Sequence, residues 1–562
     1  MMKFIFFFLL STSCIFAQRF PKDQFLSPLK IDLIPSGTFG ELRGNHFHAG
    51  LDIRTEQRIG LPVYAPADGT VSRIKVSTFG YGKALYINHA GGYTTVYGHL
   101  NAYNNAIGAV VRNQQYKTNK FEIELFPKAG ELVVKKGDLI AFTGNTGGSG
   151  GPHLHFEFRD TKTEKIINPL HFGTQIKVKD AKAPVLNGLM AYPLSETALV
   201  NQSEKPVEIS LTKQKDGTYI ANRVRAKGKI GFSVNTHDVS DNNYAKNGIY
   251  YIKTYLNGSP FYSFQFDTFA FDESRYVNAL IDYEYFVKTK QRFQKLFYKK
   301  PYGLSLINSY RNNGQIEVDS MSNFNYMIEI CDFNGNKTIV HVPIDYADEA
   351  VLIRAEKEVT PLFIQTERDY IFERDQFVVE FPSRVFYDDF YLKLEVKDRV
   401  LYLHDETVPL HKNITIKFDV SQLEGVNLEK AFIGRVSNGK KEYFSTQKKN
   451  NLFSIKTRDF GEYHIFEDNT PPVIAKPSFV AGAELDKTKR LSFVVTDDLS
   501  GLSTIEGYIN GRWILLDYDY KTNLIVHAIS DAIAVDGRND IKIIATDRIG
   551  NSTVFESHFF IK

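Results

Sequence analysis

Through most of this chain, apolar and polar residues alternate in short runs that end at Gly, Pro or Asn-Gly. PVYAPADGTVSRIKV reads as strand, turn, strand, with Pro66 and Asp68-Gly69 as punctuation. KALYINHAGGYTTVYGHL reads as a hairpin turning at Gly91-Gly92. ELVVKKGDLIAFTGNTG reads as another, turning at Lys136-Gly137-Asp138. NITIKFDV, RLSFVVTDD and NDIKIIATD repeat the pattern further on. A period of two puts one face of each segment against a core and the other outside it. No sustained 3.6-residue period competes, so the expected fold class is all-β. The 44 Phe and 31 Tyr suit strands better than helices.

A chain of 562 residues is too long for one core, and roughly three to five domains are expected. AKAPVL (181–186) and FEDNTPPVIAKP (466–477) read as linkers, the second with two adjacent prolines that hold it extended. A weak repeat spans two regions. One copy runs FSVNTHDVSDN, IKTYLNGSPFY, IEICDFNGNKT; the other runs LSFVVTDDLSG, IEGYINGRWI, IIATDRIGNST. Each has an Asp-rich strand end, an Asn-Gly turn (Asn257-Gly258, Asn510-Gly511) and a late Asp-x-x-Gly-Asn (Asp332–Asn336, Asp547–Asn551). This predicts β-sandwich modules of immunoglobulin-like type at 182–348 and 467–562, with a further β module at 349–466. The histidine-rich part, 18–175, stands ahead of them.

The first residues, MMKFIFFFLLSTSCIFAQ, have one cation, Lys3, then an apolar run, then Ile15-Phe16-Ala17 before Gln18. That is the layout of a secretory signal peptide over 1–17, and it predicts export to the periplasm or cell envelope, or secretion. Ser11-Thr12-Ser13 is a poor lipobox, so Cys14 is not expected to be lipidated. No later segment is apolar enough to cross a bilayer. After cleavage only Cys331 remains, too few for an internal disulfide, and it reads as a small core residue. A net charge of +3 points to no polyanion, and no nucleic-acid partner is expected.

The residues able to do chemistry lie in HFHAGLDI, with His48 and Asp52, in YGHL, with His99, and in GPHLHFEF, with His153 and His155. Three histidines and a carboxylate at such spacings can hold one zinc ion and leave a base beside it. His153 and His155, two apart, share one face of a strand while Leu154 and Phe156 face the core. Taken alone, that pair is better explained as two polar residues on an exposed strand face, and His46 is a competing ligand by composition. Elsewhere, LHDETVPLH (His404, Asp405, Glu406, His411) reads as a charged loop, and Trp513 as a packing residue.

The order HAGLD, PVYAPADGTV, GGYTTVYGHL, KKGDLIAFTGNTGGSGGPHLHFEFR resembles the lysostaphin- and LytM-type zinc metalloendopeptidases, over about residues 38–172. The resemblance implies a β-sheet, barrel-like peptidase domain with an open groove over the metal. It implies His48, Asp52 and His155 as Zn2+ ligands. His153 and His99 would be the non-ligand histidines that activate water and stabilise the tetrahedral intermediate. His46 and His89 match no such position and are expected to be structural. The implied substrate is peptidoglycan, at its peptide cross-links or stems. The C-terminal β modules would be spacers or docking units for envelope proteins.

Some members of that family lack ligands and act as amidase regulators; here every position is filled. An extracellular protease acting on proteins is the other alternative. A phosphocarrier on a similar fold would not be exported or need Asp52. One departure is an insertion at about 106–131, AIGAVVRNQQYKTNKFEIELFPKAGE, expected as a surface hairpin or a groove wall, with KFEIELF as an extra strand. No Asn lies between Gln18 and Gly44 to cap the zinc in a latent form, which leaves Asp32 as the substitute.

Overall fold

The computed structural model describes residues 20–562 apart from 174, 242, 243, 301, 357 and 530–532. The expected signal peptide and Cys14 lie outside the described residues. The architecture is almost entirely β, as the alternation predicts.

The histidine-rich region carries β1 (Pro35–Gly37), β2 (Leu42–Arg43), β3 (His46–Phe47), β4 (Leu51–Arg54), β5 (Pro62–Tyr64), β6 (Gly69–Val76) and β7 (Lys83–His89). It continues with β8 (Tyr93–Leu100), β9 (Ala102–Tyr103), α1 (Asn105–Thr118), β10 (Ile123–Leu125), β11 (Val133–Val134), β12 (Leu139–Phe142), β13 (His153–Asp160) and β14 (Ile166–Ile167). The main antiparallel sheet runs β1-β4-β13-β8-β7-β6-β10. Ile53, Leu85, Tyr97, Leu154, Phe156 and Phe158 are among the side chains it buries in one core.

Two local expectations fail. The insertion begins with a helix, α1, capped by Asn104, whose side chain accepts from the Ile107 N–H. Ile107, Val111 and Gln115, four apart, are its buried face. The extra strand does form: β10 joins the sheet edge at β6. The second failure is the hairpin at Lys136-Gly137-Asp138. The chain does turn there, but β11 pairs with β6 while β12 pairs with β5 and β9 in a separate three-stranded sheet. The turns at Gly91-Gly92, Asn257-Gly258 and Asn510-Gly511 close hairpins: β7 with β8, Leu256 opposite Ser259, and Ile509 opposite Arg512.

Further along, residues from 185 to 346 form a large sheet with two short helices, Val277–Leu280 and Tyr283–Thr289. Its core takes in Phe39, Phe47 and Ile166 from the histidine-rich region. β14 pairs with Thr268–Phe269, so the ladder itself crosses between these two parts. Residues 363–467 form two five-stranded sheets and a short two-stranded one around a separate core. Residues from 473 onward form a four- and a five-stranded sheet around another.

Candidate metal centre

Two adjacent strands set the site. β4 and β13 run antiparallel with Asp52 directly opposite His155, so the two side chains share one face. His153, two residues earlier on β13, shares it too. His48 lies in the approach to β4, fixed by backbone hydrogen bonds from its N–H to the Glu41 carbonyl and from the Gly40 N–H to its own. Gly50 lets this segment cross β13 closely: a Cβ there would sit 2.5 Å from the Phe156 carbonyl oxygen.

His99 reaches the same face by a different device. Its neighbour Gly98 is opposite His155, so regular alternation would turn His99 away. The β7–β8 register shifts here, with Lys83 opposite Leu100 but Leu85 opposite Tyr97. This bulge, with His99 in the left-handed region at φ 59°, re-aims the ring. The strained backbone costs on the order of 1 kcal/mol. The ring centroid lies 4.8 Å from that of His153 and 5.9 Å from that of His155.

His48 Nε2 is 3.1 Å from Asp52 Oδ1 and 3.2 Å from His155 Nδ1, and His155 Nδ1 is 2.8 Å from Asp52 Oδ1. These three groups, all buried, offer ligand atoms within 4.8 Å of one another. Two imidazole nitrogens and a carboxylate oxygen fit zinc. The outer nitrogens are already engaged. His48 Nδ1 donates to the Thr38 carbonyl at 2.8 Å, and His155 Nε2 donates to Glu157 Oε1 at 2.8 Å. That leaves the inner nitrogens as acceptors, which a metal requires.

His153 Nε2 is 3.4 Å from Asp52 Oδ1, while its Nδ1 donates to the Gly151 carbonyl at 2.8 Å. His99 Nδ1 donates to the Thr146 carbonyl at 2.8 Å, which leaves its Nε2 lone pair free. Both rings can therefore take a proton at the open side of the cluster.

The electrostatics favour a cation. Burial opposes charge on Asp52, but His48, His153 and His155 outweigh it and hold the carboxyl well below its usual range. Burial opposes charge on His155 as well, yet its bonds to Asp52 and Glu157 push it up to about 9. A proton and a metal ion thus compete for the same place. Burial first, then the neighbouring His155 and His153, lowers His99 to about 3, so it stands as a neutral base.

Several contributors escape the motif reading. Glu157, fully buried, also accepts from Tyr81 and from Arg159 at 2.7 Å. Tyr81 stacks on His155 with centroids 4.9 Å apart. Arg43 donates to Asp52 Oδ2 at 2.7 Å. The signal for Glu157 and Arg159 is the same alternation that pairs His153 with His155, carried on for two more steps. His89 is structural, buried between the Asp68 carbonyl and Thr95. His46 is not: it is exposed, held by the Gly44 carbonyl. Asp32 pairs with Lys179 at 3.5 Å, not with the cluster. His404, Asp405, Glu406 and His411 bond to Lys393, Arg435 and Tyr387, as a charged loop would.

Residues 46–116 match the family model described as Peptidase family M23, and residues 362–468 one described as a Zu5-like domain. An uncharacterized metalloprotease of Haemophilus influenzae is 38% identical over 123 residues, 22% of this chain and 20% of that protein. The DD-carboxypeptidase/endopeptidase Mpg of Neisseria meningitidis is 38% identical over 112 residues, 20% of each. The solved structure of a zinc containing peptidase from Vibrio cholerae is similar at 30% identity, over 24% of this chain and 37% of that one, with a TM-score of 0.18. The chain spans about a fifth of the length of the curated relatives it matches.

Proposed function

Because the chain carries a domain of peptidase family M23, we propose that it is an exported zinc metalloendopeptidase that hydrolyses peptide bonds in peptidoglycan. The observation that carries the reading is the convergence of His48, Asp52 and His155 with the outer nitrogen of each ring already bonded. Zinc held by these three groups would supply Lewis acidity toward a scissile carbonyl.

The chain's own residues do the rest. His153 Nε2 takes the proton of the attacking water and returns it to the leaving amine. His99, neutral and with its Nδ1–H held by the Thr146 carbonyl, presents Nε2 as an acceptor that orients the attacking water. Ser149, Gly151 and Thr146 keep both rings turned inward. Arg43 holds Asp52, and Glu157 holds His155. The names of relatives, DD-carboxypeptidase/endopeptidase Mpg and the peptidoglycan DD-endopeptidase ShyB of Vibrio cholerae, support peptidoglycan as substrate. The modules beyond residue 182 would carry the peptidase to the wall or to envelope proteins.

The test is zinc content and release of soluble fragments from cell-wall sacculi. Wild type is expected to bind one zinc and digest sacculi. Asp52→Ala is expected to lose both, and His153→Ala to keep zinc while activity falls by about 10²–10⁴-fold. Equal activity in all three would refute the mechanism. Bound zinc with intact sacculi would shift the substrate to proteins.

A further inference from the structure

Two clusters of three carboxylates, outside the zinc site, repeat each other in detail. The first joins Asp180, Asp238 and Asp332; the second joins Asp468, Asp497 and Asp547. In each, the three offer oxygens within 4.8 Å of one another. One member comes from a segment entering a β module, Asp180 or Asp468. The other two come from that module's strand ends. The bonding matches as well. Asp332 accepts from the backbone and side chain of Asn336, and Asn336 donates on to the Asp180 carbonyl. Asp547 accepts from the backbone and side chain of Asn551, and Asn551 donates on to the Asp468 carbonyl. Thr338 bonds the Pro184 carbonyl, and Thr553 the Pro472 carbonyl.

These bonds hold each cluster in shape yet leave inward oxygens without a donor. Asp238 Oδ1 and Asp497 Oδ1 have no hydrogen-bond partner among the described residues. A second observation is independent of the acids. Asn247 is 2% exposed, and neither its Oδ1 nor its Nδ2 has a partner among the described residues. Its backbone N–H and carbonyl exchange both bonds with Asp238 at 2.9 Å, so the two side chains stand on one face. Asn247 lines a cavity of about 30 Å³ together with Asp180 and Asp238. That is room for one small ion or water. In the second cluster the Ser500 hydroxyl, 1% exposed, is likewise unpartnered, while the Ser500 N–H donates to Asp468 at 3.0 Å. A buried amide and a buried hydroxyl without partners are costly unless something else binds them.

We propose that each cluster is a divalent-cation site, taking calcium, that clamps an incoming linker onto the β module it enters. The ligands would be Asp180, Asp238, Asp332 and Asn247 Oδ1 in the first site, and Asp468, Asp497, Asp547 and the Ser500 hydroxyl in the second. A hard, all-oxygen set suits calcium better than zinc, which prefers nitrogen and sulfur, or magnesium, which demands a regular octahedron. Burial, then the charges of Asp180 and Asp332, push Asp238 up to about 8, the response of carboxylates crowded without a counter-charge.

The experiment uses the full chain, stripped of calcium with EGTA, dialysed free of chelator and reloaded with one equivalent of zinc. Calcium binding is followed by equilibrium dialysis and by melting temperature, with magnesium in parallel. Two calcium ions per chain are expected, with dissociation constants on the order of 10⁻⁴–10⁻³ M or tighter, and a calcium-dependent rise in melting temperature. Asp238→Asn and Asp497→Asn each keep an acceptor while removing a charge. Each is expected to remove one equivalent and part of the rise, and to melt no lower than wild type in calcium-free buffer. Asn247→Ala is expected to weaken only the first site. A variant that leaves the stoichiometry unchanged overturns its site. No binding and no rise at about 10 mM calcium overturns both.

Discussion

At the scale of single residues, the candidate site depends on what holds each imidazole. His155 meets the cluster through Nδ1 only because Glu157 occupies its Nε2–H, and Arg159 in turn neutralises Glu157. Burial disfavours charge on Glu157, but Arg159, His155 and Tyr81 hold its carboxyl down at about 2. Glu157→Gln keeps the shape and removes the charge. Zinc affinity, measured by chelator competition, is expected to fall about 10–100-fold, with kcat at saturating zinc close to wild type. Unchanged affinity would show that Glu157 only fills space. The cluster of His48, Asp52 and His155 was legible in the motifs. The bonding of Glu157 was not, because spacing reports which face a residue occupies and not which atom it meets. His46 shows the converse: a histidine in the right motif lies exposed, because β3 turns it outward.

At the scale of elements, β4 against β13 brings the candidate ligands Asp52 and His155 together, and the β8 bulge brings His99 in. The alternation specifies the strands but not their partners. Lys136-Gly137-Asp138 has the chemistry of a tight turn, which guarantees that the chain reverses. It does not guarantee that the flanking strands pair, and here each goes to a different sheet. The helix α1 was missed because its buried stripe is thin: Ile107, Val111 and a glutamine, with Gly108 alongside. Its end signal was there in Asn104. Asn104→Ala removes the acceptor for the Ile107 N–H and is expected to cost about 1 kcal/mol in equilibrium denaturation, with zinc content unchanged. A cost near zero would mean tertiary packing alone holds the helix. That packing includes Tyr116, which meets Trp513 edge-on across 5.3 Å.

At the scale of the whole molecule, the parts of the chain press on the candidate site. Lys521 donates to the Asn145 and Ser149 carbonyls, and Tyr520 packs on Phe79 at 4.6 Å. The loop from Asn145 to Gly151 is the one that orients His99 and His153, so the C-terminal sheets brace these two rings. On the other side, Asp267 joins the peptidase region to the next module by accepting from His171 at 2.9 Å and from Tyr250 at 2.6 Å. Burial would raise its pKa, but His171, Tyr250 and Gln265 together lower it to about 2. A carboxyl held below its ordinary 3.8 stabilises the fold above that pH and loses the contribution as pH falls through about 2. Between pH 4 and 2 the wild type is therefore expected to lose more denaturation free energy than Asp267→Asn. Parallel losses would remove Asp267 from the account.

The sequence by itself determined the all-β class and the strand faces, because these follow from local periodicity, and it pointed to a set of candidate metal-binding residues through the resemblance its ordered motifs carry. The tertiary structure alone decided which strands pair, how His99 turns inward, what holds each ligand's outer nitrogen, and that the C-terminal sheets reach the site. Those outcomes rest on contacts between residues far apart in the chain, and neither periodicity nor turn chemistry encodes which distant partner a buried polar group will find.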